Sequence, residues 1–87
     1  MKYLFISRPG DPESFKEYFK KFELLSNDSL LAQYNREVQI GIVGVHAQAL
    51  KLLALRKIFL KRFGKSPVLL KDDMISLTGK HNVFPDP

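Results

Sequence analysis

Apolar residues recur at helical spacing from Asp28 to Gly64, DSLLAQYNREVQIGIVGVHAQALKLLALRKIFLKRFG, and the remainder of the chain reads as what packs around that stretch. At about 100° per residue, Leu31, Tyr34, Val38, Ile42, Val45, Ala49, Leu52, Phe59 and Phe63 fall on one side of a helix, widened by Leu53 and Leu60. A second set, Ile40, Val43, Ala47, Leu50 and Ala54, recurs at alternating three- and four-residue steps on roughly the opposite side, and Ile58 extends it. The spacing predicts one long helix from Ser29 to Phe63, apolar on two faces and therefore in need of two partners. The rest of the domain supplies one, and a second copy of the chain is the expected other.

The same stretch holds a rival pattern. Val38 to Val45, VQIGIVGV, is rich in β-branched residues and reads as a strand, and Gly41 and Gly44 would each cost a helix about 1 kcal/mol relative to alanine. The helix is preferred because the Leu31 stripe keeps its phase through the segment. A strand there would also leave Ser29 to Asn35 as a helix of barely two turns with no Gly or Pro to end it. On the helix reading, Gly41, Gly44 and Ala47 form a shallow groove suited to close backbone approach.

Around this stretch the other elements follow in order. Lys2 to Ser7, KYLFIS, is an apolar run ended by Arg8, Pro9 and Gly10, which predicts a strand. Asp11 as N-cap and Pro12 at the first helical position open a helix whose buried side is Phe15, Tyr18, Phe19, Phe22 and Leu25. Aromatics at helical spacing are read as core. Ser26 to Ser29 offers a loop with several candidate caps, Gly64 a helix stop, and Lys65, Ser66 and Pro67 a break. Val68 to Leu70 and Met74 to Leu77, around Lys71, Asp72 and Asp73, predict a β-hairpin. The fold class is thus α+β: a short N-terminal strand, an aromatic-faced helix, a long two-faced helix and a C-terminal β-hairpin, whose strands can join the first in one small sheet. One small globular domain, residues 1–79, is expected, followed by an extended tail over 80–87 with Val83 and Phe84 as its apolar residues.

Composition narrows this picture in three respects. Eighty-seven residues are enough for a single core but few enough that burying more surface by association would add stability. Cysteine is absent, so packing and not a disulfide framework or a thiolate metal site must hold the fold. The apolar run before Arg8 is too short for a signal-peptide core, and the longest uncharged stretch, Val38 to Leu50, is too short to span a bilayer. A cytoplasmic protein with no membrane partner is the expectation.

The net charge of +5 is concentrated: Lys51, Arg56, Lys57, Lys61, Arg62 and Lys65 occur in one segment without an acid. As a stripe, Lys51, Lys57, Lys61, Arg62 and Lys65 can touch phosphates, although cations near a helix C-terminus also complement its dipole. Arg56 stands apart. Placed among Leu52, Leu53, Phe59, Leu60 and Phe63, it is either an anion or partner site framed by apolar residues, a structural pair with Glu37, Asp72 or Asp73, or a stem that reaches the edge.

Motifs for chemistry are sparse. Neither His46 nor His81 has a second ligand at a metal-binding interval, and the adjacent Asp72 and Asp73 suit a solvated turn. Thr78-Gly79-Lys80 lacks the upstream glycine and the following hydroxyl of a phosphate loop, and GIVG lacks the third glycine of a dinucleotide fingerprint. No serine sits in a nucleophile elbow. No catalytic residue, metal or cofactor is therefore assigned. The expected function is a small non-enzymatic protein-interaction module that self-associates through Ile40, Val43, Ala47, Leu50 and Ala54, as a homodimer or with another protein. The alternative is a nucleic-acid-binding domain using the basic stripe, weakly and without sequence preference.

Overall fold

The computed structural model describes residues 2–78, and the expected tail over 80–87 lies outside the described residues. The elements are β1 (Lys2–Leu4), α1 (Asp11–Glu23), α2 (Asn27–Ile40), α3 (His46–Phe63), β2 (Val68–Lys71) and β3 (Met74–Leu77). The class is α+β, with three helices and one antiparallel sheet in the order β1-β3-β2. The register sets Lys2, Ser76 and Leu69 in one row across the sheet and Tyr3, Ile75 and Leu70 in the next.

The one long helix expected from Ser29 to Phe63 is two helices, and Val38 to Val45 is not a strand. α2 ends at Gly41, whose N–H closes the last turn on the Glu37 carbonyl at 2.8 Å. Gly41 and Gly44 then take φ of 82° and 80°, a region in which a β-branched residue would be strained. The chain reverses over these two hinges. The buried Gln48 secures the reversal from α3: its Nε2 donates to the Gly41 carbonyl at 2.8 Å, and its Oε1 accepts from the Val43 N–H at 3.1 Å. The cost of two glycines, set too low against the phase of the stripe, decided the conformation.

Local signals account for the other boundaries. Ser26 caps α2 by accepting the Ser29 N–H at 3.2 Å, and Gly64 ends α3 in the left-handed region at φ 75°. Asp11 departs from expectation. Gly10 is the N-cap of α1, and Asp11 is the first helical residue, its carboxylate accepting the Arg8 N–H at 2.7 Å. The hairpin turns at Asp72 and Asp73, both at positive φ as a type I′ two-residue loop requires. β1 is shorter than KYLFIS, although the Phe5 N–H still reaches the Asp73 carbonyl at 2.8 Å.

α3 is the centre of the molecule and α1 is its most extensive neighbour. The two helices run the same way, since Asp11 meets His46 at their starts and Glu23 meets Lys61 near their ends. On the far side of α3, Tyr34 of α2 sets its ring edge-on to Phe59 at 5.9 Å, and Val68 and Ile75 close the core from the sheet. Helix α3 is thus apolar on two sides because this chain covers both. Leu50, Ala54 and Ile58 are buried on the side that carries Lys51, Lys57 and Lys61 against the rings of α1.

Stability of the single chain should therefore depend on Leu50. Leu50→Ala should lower the unfolding free energy by about 2–4 kcal/mol, and Leu50→Glu, which sets a charge into the α1–α3 contact, should lower it further. Urea denaturation at micromolar concentration reads both. A side chain that served only a contact between copies would leave the stability of the monomer unchanged.

Candidate functional site

The five residues expected to form one interface do not share a surface. Leu50 is 5% exposed and Ala54 fully buried, whereas Ile40 and Val43 are 57% and 59% exposed at the reversal between helices. Ala47 is exposed on the first turn of α3. The helical phase that joined them was counted through Gly41 and Gly44, where there is no helix. What looked like a seam for a second copy is, in its C-terminal half, the bed of α1.

The basic stripe is similarly engaged. Lys57 Nζ lies 5.7 Å and 5.3 Å from the ring centres of Phe15 and Phe19, and Lys51 lies 5.8 Å from that of Tyr18. Lys61 pairs with Glu23 at 2.9 Å while lying 5.9 Å from the Phe19 ring centre. Arg62 donates to the Asn27 side chain at 3.0 Å and to the Glu23 carbonyl at 2.9 Å, tying α3 to the turn between α1 and α2. Lys65 is exposed past the helix end. Four of these five cations fasten α3 to neighbouring elements or lie over their rings, so they do not form a free row for phosphates.

Arg56 is different. It is half-buried, and it makes no ion pair or hydrogen bond with any described residue, neither with Glu37 nor with Asp72 or Asp73. It lines an open groove of about 370 Å³ between the flank of α3 and β2, with Leu60, Ser66, Val68, Leu69, Leu70 and Lys71. Leu60, Leu69 and Leu70 are 38%, 46% and 36% exposed, and all three line this groove. A second groove of about 400 Å³ lies across the same strand, on the outer face of the sheet, and Leu69 and Lys71 belong to both. Its remaining walls are Lys2, Met74, Ser76 and the one carboxylate, Asp72. Sequence reasoning reached Arg56 and Leu60 but missed Leu69, Leu70 and Lys71. The available signal was Val68-Leu69-Leu70-Lys71 itself, which lacks the polar alternate of a strand with one wet face.

A second polar feature joins the starts of α1 and α3. His46 Nε2 lies 2.8 Å and 3.0 Å from the two oxygens of Asp11 and therefore carries the proton it donates. Phe5 stacks on the imidazole at 5.2 Å, and Nδ1 is buried without a hydrogen bond to any described residue. Thirty-five residues separate the pair, and no spacing rule would have joined them. The groove beside it, about 340 Å³, is walled by Phe5, Pro12, Phe15, Leu50 and Leu53, with Asp11 already held by His46 and the Arg8 N–H. Ser7 and Arg8 are its other polar residues. Among the described residues no three His, Cys, Asp or Glu side chains group to hold a metal, and no helix is long and apolar enough to cross a membrane.

The Asp11 carboxyl is pushed up by burial, but the Arg8 N–H, the His46 hydrogen bond and charge, and the charge of Arg8 outweigh that and hold it below the usual 3.8. A depressed carboxyl favours the folded state wherever it is ionised. Its contribution is present above pH 3.8 and is lost as pH falls through the lower folded value. Asp11→Asn should accordingly be less stable than the parent at neutral pH, and the difference should close on acidification. Denaturant midpoints for both proteins across that range check it.

Comparison with protein-family models, curated proteins and solved structures finds no match to this chain.

Proposed function

We propose that the chain is a non-enzymatic protein-interaction module whose contact surface is the flank formed by α3 and β2. The observation that carries this reading is Arg56, half-buried and without an ion-pair partner among the described residues, set beside the exposed Leu60, Leu69 and Leu70. Apolar side chains around a cation are the composition of an interface centre, where arginine is enriched and lysine depleted. The seam once expected to join two copies is replaced by this flank. A nucleic-acid interface has less support, because Lys51, Lys57, Lys61 and Arg62 lie over rings or are hydrogen-bonded within the fold.

Site-specific photocrosslinking in the cells that make the protein tests the reading. A photoreactive residue at Leu69 should capture a discrete protein adduct, and one at Lys16, on the exposed side of α1, should not. Equal capture at both positions, adducts to nucleic acid, or none at Leu69 would overturn it.

A further inference from the structure

The sheet order leaves the outer side of β2 without a strand among the described residues, and the register says which backbone groups face outward there. Thr78 N–H donates to the Pro67 carbonyl at 3.1 Å, so in an antiparallel ladder Leu69 with Ser76 and Lys71 with Met74 are the next pairs that exchange hydrogen bonds. Val68 and Leu70 consequently point their N–H and C=O groups away from β3. The Ser66 hydroxyl accepts the Val68 N–H at 3.0 Å and closes that position. The Leu70 N–H and the carbonyls of Val68 and Leu70 have no partner among the described residues.

Edge strands that must not pair are usually guarded by charge, proline or shortness. Here Pro67 and Lys71 guard the ends of β2, and its middle is Leu69 and Leu70, both exposed. The two grooves described above lie on opposite faces of this same edge. An added strand would send alternate side chains into each, as strand geometry demands. One groove presents Arg56 beside Leu60, and the other Lys71 and Lys2 beside Leu69 and Met74. Cations outnumber the single carboxylate, Asp72, on both faces taken together.

Resting on the interaction-module reading, we propose that β2 accepts an extended acidic segment of a partner protein as a fourth strand. Its backbone bonds to the open groups of Val68 and Leu70, a carboxylate meets Arg56, and apolar side chains cover Leu69 and Leu70. A second copy of this chain is the poorer occupant. Pairing β2 with its own copy would bring two Arg56 and Lys71 groups to one junction, on a chain already at +5.

The probe is a synthetic octapeptide in which pairs of valines alternate with pairs of glutamates, so that each face of the added strand carries both, labelled for fluorescence anisotropy, with its lysine-for-glutamate counterpart as the charge-reversed control. Saturable binding of the acidic peptide and none of the basic one is expected. Arg56→Gln should weaken binding at least about tenfold. Leu70→Pro, which removes an N–H that no ladder bond uses, should abolish it while circular dichroism stays that of the parent. Independently of any variant, amide exchange at Leu70 should slow when the peptide is added. The proposal is overturned by three outcomes: no binding to the parent, unchanged binding by both variants, or a parent dimer that Leu70→Pro turns into monomer, which would make a second copy the occupant. Failure here with protein crosslinks retained at Leu69 removes strand addition alone; failure of both removes the interaction reading as well.

Discussion

The contact of α1 on α3 is the constraint from which the rest of the architecture follows. A helix that is apolar on two sides must be covered on both, and in this chain Leu50, Ala54 and Ile58 are covered by α1 while Leu52 and Phe59 face α2 and the sheet. Because α1 and α3 run the same way, the chain has to return through α2 before α3 can start beside the start of α1. The chain therefore needs a sharp reversal after α2, which Gly41 and Gly44 supply and Gln48 holds.

This geometry explains which parts of the fold were legible from the sequence. Elements announced by local chemistry were readable: the aromatic face of α1, the Ser26 cap, the Gly64 stop and the hairpin about Asp72 and Asp73. The Gly41 break was not, because the apolar phase happens to continue across it. Ile40 and Val43 matched Leu50 and Ala54 in spacing but lie across a reversal from them. The two-sided apolarity of α3 was real, and its meaning was intramolecular. A sequence gives the faces of a helix readily, but what covers each face is a matter of topology.

The candidate surface divides in the same way. Arg56 was conspicuous in the sequence because a cation among leucines and phenylalanines demands an explanation, whereas the row of cations nearby looked like one stripe and is several separate attachments. Lys57 over Phe15 and Phe19 and Arg62 on the turn after α1 fasten α3 to its neighbours. Leu69 and Leu70 could not be recognised as edge residues before the strand order was known. The pair of Asp11 and His46 likewise depends wholly on α1 and α3 starting side by side.

The strand order also constrains how the chain can be made. β1 is the first of the described elements and pairs with β3, the last of them, so its backbone groups have no partner in the sheet until Met74 to Ser76 have been made. The three helices can collapse on one another before that, since each contact among them is complete within residues 11–63. Lys2 to Leu4 must therefore wait, open, until β3 has been made and then close a loop of about seventy residues. Three residues, Lys2 to Leu4, make a small liability for that interval. A longer apolar strand in the same place would be exposed to intermolecular pairing until β3 is made.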